Sequence, residues 1–203
     1  MKIVLVTGFT PFGKETINPA YESVRLLPDE IEGAKIVKLE VPTSFERGPK
    51  MVIEAIDQLH PDLILCVGQA GGRAKLSFEF VGLNYIHARI ADNDGKQPDH
   101  ISVCPGAPDA YFTNIPVYEV VNHLNEQKIP AHVSYSAGTY VCNALFYSVM
   151  EYIHRKNLSC MMDFVHVPFI LEQTIDKGND MPSMSLRAME MGLHCAIKYL
   201  LKM

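Results

Sequence analysis

The chain has 203 residues, 48% of them hydrophobic and 20% charged, which is enough to bury a full core as one domain over residues 1–203. Its formal net charge is −5, and it has no lysine or arginine cluster that could follow a phosphate backbone, which argues against a nucleic-acid partner. No apolar run is long enough to span a membrane or to form a signal-peptide core. We therefore expect a cytoplasmic protein without a membrane partner.

The cysteines of this chain are odd in number and widely scattered. They form no C-x-x-C motif, and no pair of histidines has the spacing that holds zinc. We therefore predict neither disulfides nor a metal site, and no cofactor. The five positions are Cys66, Cys104, Cys142, Cys160 and Cys195.

Short apolar segments alternate with helical patterns along the chain, which predicts an α/β protein. Branched and apolar residues predict strands at Lys2–Val6, Lys35–Val41, Asp62–Val67, His132–Tyr135 and Met161–Val167. Helical spacing predicts helices at Ala20–Leu27, Ser44–Leu59, Val117–Asn125, Tyr140–Arg155 and Ser183–Leu201, the first with Asn18 as its N-cap. This order favours a single-domain three-layer α/β/α sandwich with a mainly parallel mixed sheet.

The region from Leu76 to Val103 departs from this rhythm. Leu76–Ile90 has the pattern of extended chain, and the run D-N-D-G at 92–95 is typical of a hairpin turn. We expect this region to be an excursion over one edge of the sheet.

Polar or unusual clusters follow four of the predicted strands. They are G-F-T-P-F-G at 8–13, G-Q-A-G-G-R at 68–73, Cys142 and His166. Ligand sites in open α/β sheets lie beyond the carboxyl ends of the strands, so these clusters could share one end of the sheet. Residues 8–14 also fit G-x-x-x-x-G-K, but Glu15 replaces the Ser or Thr of a phosphate-binding loop and argues against nucleotide. Phe9 and Phe12 either enter the core or line an apolar ligand pocket.

Cys142 lies where an extended segment gives way to a predicted helix. Unpaired N–H groups at a helix start favour thiolate over thiol and lower the pKa of a cysteine there, so Cys142 is a candidate nucleophile. The alternative is a buried cysteine that only fills space.

Two further titratable residues could serve such a thiol. His166 closes a strand, and an imidazole can accept the proton of a thiol and deliver it to a leaving amine. Glu79 lies among apolar residues in L-S-F-E-F-V, where a histidine to orient would explain a buried carboxylate. The alternatives are a core histidine with its hydrogen bonds satisfied and a sheet-edge glutamate that faces water.

Five motifs in the same order over nearly the whole chain resemble the type I pyroglutamyl peptidases. They are G-F-T-P-F-G with N-P-A, G-Q-A-G-G-R with L-S-F-E, A-R-I-A-D-N-D-G, S-A-G-T-Y-V-C-N and F-V-H-V-P-F. The resemblance implies a cysteine exopeptidase that removes N-terminal pyroglutamate from peptides, without metal or cofactor. It also implies a homo-oligomer, often a tetramer.

The same resemblance assigns roles to individual residues. It implies Cys142 as nucleophile, His166 as general acid and base, and Glu79 as the partner that orients His166. Phe9 and Phe12 would pack on the lactam ring, with Gln69 in the recognition loop and Arg89 near the oxyanion.

The chain departs from the family pattern beside these residues. Phe80 follows Glu79 where the family usually has Arg or Lys, and His87 stands where it has Asp. Losing a cation beside Glu79 removes one influence that keeps the carboxylate ionised. A second hypothesis is therefore a catalytically weakened pyroglutamyl-ligand binding protein of the same fold.

Overall fold

A computed structural model describes all 203 residues and contains a seven-stranded sheet and a separate two-stranded one. The main sheet has the order β2-β3-β1-β4-β9-β5-β8, while β6 pairs with β7. The nine strands are β1 (Ile3–Phe9), β2 (Glu30–Ile31), β3 (Ala34–Val41), β4 (Leu63–Gln69), β5 (Leu76–Glu79), β6 (Val81–Leu83), β7 (Ala110–Phe112), β8 (Ala131–Ser134) and β9 (Met161–Val167).

Five α-helices cover the sheet, and a short 3₁₀ helix spans Leu171–Thr174. The predicted helices are all present, although the second and fifth begin three residues later than expected. The α-helices are α1 (Pro19–Arg25), α2 (Arg47–Leu59), α3 (Val117–Glu126), α4 (Val141–Lys156) and α5 (Leu186–Leu201). None of them is long and apolar enough to cross a bilayer.

The central strands are apolar on both sides because helices pack on both faces of the sheet. In β4, Leu65 belongs to the core beneath α1, α3 and α5, whereas its neighbours Ile64 and Cys66 belong to the core beneath α2 and α4. Side chains alternate across a strand, so a continuous apolar run fills both cores at once. The predicted α/β/α sandwich is confirmed.

The predicted N-cap of the first helix is also confirmed. The Asn18 side chain accepts a hydrogen bond from the Ala20 N–H at 3.1 Å, and its amide donates to the Thr10 carbonyl at 3.0 Å. One buried side chain therefore fixes both the start of α1 and the loop that follows β1.

The prediction for Leu76–Val103 is only partly right. The turn at 92–95 is present, with the Gly95 N–H donating to the Asp92 carbonyl at 3.0 Å. However, β5 does not lie over the sheet edge; it is inside the sheet, antiparallel to β9 and parallel to β8. All four residues of β5 are buried, including Ser77 and Glu79. The alternation of polar and apolar residues in this strand therefore does not indicate a solvent-exposed face. Glu79 can be buried because His166, which is distant in the sequence, is the hydrogen-bond partner of its carboxylate.

Asn143, in the first turn of α4, joins that helix to the chain that follows β5. Its side chain accepts from the Leu83 N–H at 2.8 Å and donates to the carbonyls of Leu83 at 2.9 Å and Tyr85 at 3.0 Å. Asn143 is fully buried, so water cannot replace these bonds.

Replacing this amide should therefore cost stability. We expect Asn143→Ala to lower the free energy of unfolding by about 2–4 kcal/mol, because three backbone groups lose their bonds to a fully buried amide. Urea unfolding followed by circular dichroism measures the change. Asn179→Ala, at an exposed position, is the matched control and should change it by less than about 0.5 kcal/mol. Equal changes in the free energy of unfolding for the two substitutions would show that the Asn143 hydrogen bonds do not stabilise the fold.

Candidate active site

A single cavity of about 680 Å³ lies at one end of the sheet and brings together the sequence clusters. It is lined by segments that follow β1 and β4, by the turn before α4, by His166 at the end of β9 and by residues 87–90. The segments after β1, β4 and β9 meet as predicted, because these parallel strands end at the same edge of the sheet. Because β8 runs antiparallel to β9, Cys142 reaches the cavity only after the chain turns back through residues 135–141.

Glu79 and His166 meet across neighbouring strands. Ser77 pairs with His166 in the antiparallel register of β5 and β9, which places Glu79 diagonally across from the imidazole. The Nδ1 atom of His166 lies 2.7 Å from Oε1 of Glu79. Both side chains are almost completely buried. The carboxylate thus fixes the ring orientation and leaves Nε2 as the other ring nitrogen available for chemistry.

Arg73 also contacts this carboxylate, which sequence reasoning missed. Its guanidinium donates to Oε1 of Glu79 at 2.6 Å and to the Ser136 carbonyl at 3.1 Å. Arg73 therefore supplies the cation that Phe80 does not. The available signal was Arg73 itself, the last residue of the G-Q-A-G-G-R motif, but its reach to Glu79 depends on the path of the loop.

Glu79 is ionised because its partners outweigh its burial. Burial alone would raise the pKa of this carboxyl, but the hydrogen bond and charge of His166, the Ser134 hydroxyl and the Arg73 charge together hold the pKa below its usual range. Its second oxygen, Oε2, is buried and makes no close hydrogen bond, so Oε1 carries the contacts with His166 and Arg73.

Cys142 is the second residue of α4, as the sequence predicted, and its side chain is half-buried against the cavity. A Cβ atom added at Gly68 would lie only 2.9 Å from its sulfur. Gly68 is the register partner of His166 in the adjacent parallel strand, so both positions face the same side of the sheet. The sulfur and the imidazole therefore share that side of the sheet and the same cavity.

The pKa of Cys142 is not lowered overall, contrary to the expectation from its place at a helix start. Burial raises the pKa of the Cys142 thiol to about 12, and the Glu79 charge acts in the same direction. Arg73 and the backbone N–H of Cys142 oppose this but are weaker. The resting sulfur is therefore a thiol at neutral pH, and its proton must leave during the reaction.

His166 is suited to accept that proton. Burial lowers the pKa of the imidazole below its ordinary value of 6.5, with a smaller contribution from the Arg73 charge, while Glu79 opposes both. The ring is consequently neutral at physiological pH, the form that can act as a base.

The four residues expected at the substrate all line the cavity. Phe9 is almost fully buried, with its ring 6.3 Å from that of Phe164, whereas Phe12 is more accessible and lies 6.1 Å from Tyr140. Gln69 accepts a hydrogen bond from the Gln173 amide at 2.9 Å. Arg89 is exposed on the cavity wall. One aromatic side chain thus belongs to the core as well as to the cavity, which the sequence left open.

Sequence reasoning did not identify the polar network that Gln173 and Lys177 form with two residues of the cavity wall, Glu15 and Gln69. Gln173 donates from one amide nitrogen to Gln69 and to Glu15, and Lys177 pairs with Glu15 at 2.7 Å. Glu15 thus has a cationic partner and lines the cavity instead of a phosphate loop. No helix starts directly after residues 8–14, since α1 begins at Pro19, which argues further against a nucleotide site.

Comparison with known proteins identifies the family. The family model for Pyroglutamyl peptidase matches residues 1–203. Pyrrolidone-carboxylate peptidase 1 of Caldanaerobacter subterraneus subsp. tengcongensis is 47% identical over 98% of each chain. The corresponding peptidase of Enterococcus faecalis is 46% identical over 100% of this chain and 94% of the relative. The crystal structure of Bacillus amyloliquefaciens pyroglutamyl peptidase I superimposes with a TM-score of 0.95 at 42% identity, covering 100% of this chain and 98% of that one. Fold, site and sequence thus agree that the chain belongs to the pyroglutamyl peptidase family of cysteine peptidases.

Proposed function

We propose that residues 1–203 form one catalytic domain that hydrolyses the bond after an N-terminal pyroglutamyl residue of a peptide. The observation that supports this most strongly is that Cys142 and His166 line one cavity, with Glu79 hydrogen-bonded behind His166, in a chain of this family. A thiol, a neutral imidazole and an ionised carboxylate are the groups that acyl transfer through a covalent intermediate requires.

The first step forms a tetrahedral adduct of the sulfur, from which the thioester arises when the amine leaves. His166 takes the proton of Cys142 as the sulfur attacks the pyroglutamyl carbonyl carbon, and the electrons of the C=O bond move to its oxygen. Because the pKa of the free thiol is high, proton transfer accompanies attack instead of preceding it. The Cys142 backbone N–H and Arg89 are the proposed donors to the oxyanion. Glu79 stabilises the imidazolium that forms.

The second half of the reaction returns the enzyme to its starting state. The imidazolium protonates the leaving amine as the C–N bond breaks, which releases the shortened peptide. Water then gives a proton to His166 and attacks the thioester carbonyl. Collapse releases pyroglutamate and returns a proton to the sulfur. Every proton is thus handled by one imidazole.

The cavity suits a small, flat and uncharged acyl group. Phe9 and Phe12 offer aromatic surface to the lactam ring, and Gln69 offers an amide for the polar edge of the ring. A free peptide N-terminus carries a positive charge that would lose hydration against the aromatic rings. The chemistry of this wall therefore favours pyroglutamate over an ordinary first residue.

The alternative of a weakened binding protein loses its main argument. It rested on the missing cation beside Glu79, and Arg73 occupies that place. Phe80 instead packs with Phe112, Tyr118 and Tyr135.

A free catalytic thiol favours a reducing compartment, so we place the activity in the cytoplasm. The homo-oligomer implied by the family remains a prediction, which light scattering can check.

Removing the sulfur should abolish turnover. We expect Cys142→Ala to reduce release of the reporter amine from a pyroglutamyl amide by at least about 10³-fold, because no nucleophile remains. A prolyl amide, which lacks the lactam carbonyl, should be cleaved poorly by the unmodified protein. Cys104→Ala, which changes a half-buried cysteine outside the cavity, should leave the rate within about twofold. Full activity of folded Cys142→Ala would refute the proposed nucleophile.

The space beside Gly68 should be equally decisive. We expect Gly68→Ala to lower kcat/KM by about 100-fold or more, because the new methyl group would lie 2.8 Å from the buried Phe164 ring and 2.9 Å from the Cys142 sulfur, so that the ring, the sulfur or both must move. Gly178→Ala, where an added Cβ meets nothing within 4 Å, is the control. Thermal melting separates loss of the site from loss of the fold. Unchanged kinetics would mean that the sulfur does not act from this position.

Substitutions of Glu79 and Arg73 should move the pH profile of kcat/KM in opposite directions, because the two side chains shift the pKa of His166 in opposite directions. Turnover needs neutral His166, so the acid limb of kcat/KM should lie below pH 6.5, with activity lost as pH falls through the lowered pKa. Glu79→Gln removes the groups that raise the pKa of His166 and should shift the limb to lower pH. Arg73→Gln removes a cation that lowers it and should shift the limb to higher pH.

The sign of each shift separates electrostatics from general damage. Glu79→Gln should also reduce kcat by about 10²–10⁴-fold, because the imidazole loses its orienting partner. Measurements of kcat/KM between about pH 4 and pH 8 on both variants provide the test, since this range spans the ordinary pKa of an imidazole. Shifts of the same sign would show that Arg73 and Glu79 do not act through His166.

A further inference from the structure

Three side chains outside the triad form a compact cluster beside the cavity, which His87 alone among them lines. They are His87, Asp99 and His100, and one ligand atom from each lies within 4.8 Å of the other two. The Nδ1 atom of His87 is 2.5 Å from Oδ1 of Asp99, and Nε2 of His100 is 3.5 Å from the same oxygen. All three residues are exposed, so an ion from solvent can reach them.

The spacing of these atoms suits a small divalent ion. Nitrogen and oxygen ligands lie about 2.0–2.2 Å from zinc, so the ligand atoms of a tetrahedral site are about 3.3 Å apart. The two contacts with Asp99 lie on either side of that value. One ring nitrogen of His87 hydrogen-bonds to the Asp99 carboxylate and one of His100 lies near the same oxygen, so an ion bound between them would replace the proton of the His87 bond.

A neighbouring side chain already orients one of the imidazoles. The Tyr85 hydroxyl is hydrogen-bonded to Nδ1 of His100, which leaves Nε2 directed at Asp99. Histidines that bind metals commonly have their second nitrogen held in this way. The His87 and His100 rings are also stacked, with centroids 4.8 Å apart.

The backbone keeps the cluster together without a metal. The Ala88 N–H donates to the Pro98 carbonyl at 3.0 Å, and Ile86 and Ile101 exchange backbone bonds of 2.8 Å and 3.2 Å. These backbone bonds bring His87 next to Asp99 and His100. Binding an ion therefore needs small side-chain movements and no refolding of the loop.

We propose that His87, Asp99 and His100 form a binding site for a divalent transition-metal ion of the zinc class. The site supplies three protein ligands and leaves the fourth position to water. Two imidazoles and one carboxylate favour Zn²⁺ over Mg²⁺ or Ca²⁺, which prefer sites made of oxygen alone. The ion would cross-link the two ends of residues 87–100, a loop that also contains Arg89. None of its ligands belongs to the triad, and its test measures metal binding, so the proposal can hold or fail apart from the peptidase reaction.

Calorimetric titration with zinc chloride near neutral pH tests the site. The experiment uses Cys142→Ala as the parent protein, because the catalytic thiol could itself bind zinc. We expect the parent to bind one ion that the Cys142→Ala/His100→Ala variant lacks or binds at least tenfold more weakly. The matched control is Cys142→Ala/His154→Ala, which removes another exposed and stacked histidine and should bind zinc like the parent. Zinc should raise the Tm of the parent and of this control only.

Two further measurements keep the proposal falsifiable if His100→Ala disturbs the loop. Asp99→Asn in the same parent preserves shape, removes the negative charge and should weaken binding at least tenfold. Magnesium chloride should give no comparable binding or Tm change. Equal zinc affinity in the His100, Asp99 and His154 variants would overturn the proposal, as would absence of zinc binding to the parent. Magnesium binding as tight as zinc binding would overturn the assignment to the zinc class.

Discussion

The active site depends on one buried carboxylate that a histidine and an arginine share. Glu79 has no access to solvent, and the same oxygen accepts from His166 and from Arg73. An isolated charge at this depth would be costly, so each partner is needed to keep Glu79 ionised. The Arg73 contact with the Ser136 carbonyl extends this link to the chain that leads into α4. The loop after β4, the strand β5 and the nucleophile segment are thus joined through a single ion-paired centre.

Much of the fold could be predicted because its determinants are local. Apolar runs specified the central strands, and Asn18 with Pro19 marked the start of α1 within one residue. The placement of β5 could not be predicted, because Ser77 and Glu79 give it the pattern of a half-exposed strand. Only the register with β9 shows that a histidine 87 positions away makes burial of that glutamate possible.

The candidate site divides in the same way. Cys142, His166 and Glu79 were identifiable from residue type and position, and the resemblance of five motifs connected them. Arg73 and Gln173 were not identified, since their roles come from loop paths that bring them to Glu79 and Gln69. The pKa of Cys142 was expected in the wrong direction, because a helix start is visible in sequence whereas desolvation by surrounding atoms is not. His87 and His100 likewise lie too far apart in sequence to suggest a cluster with Asp99.

A protonated resting sulfur has a protective consequence. Oxidants and adventitious electrophiles react with thiolate far faster than with thiol, so a low-pKa cysteine is vulnerable whenever the enzyme is idle. Here burial raises the pKa of Cys142 to about 12, so the free thiol holds its proton until His166 accepts it during attack on a carbonyl. The same packing that makes the sulfur harder to ionise should therefore slow its oxidation between encounters with substrate.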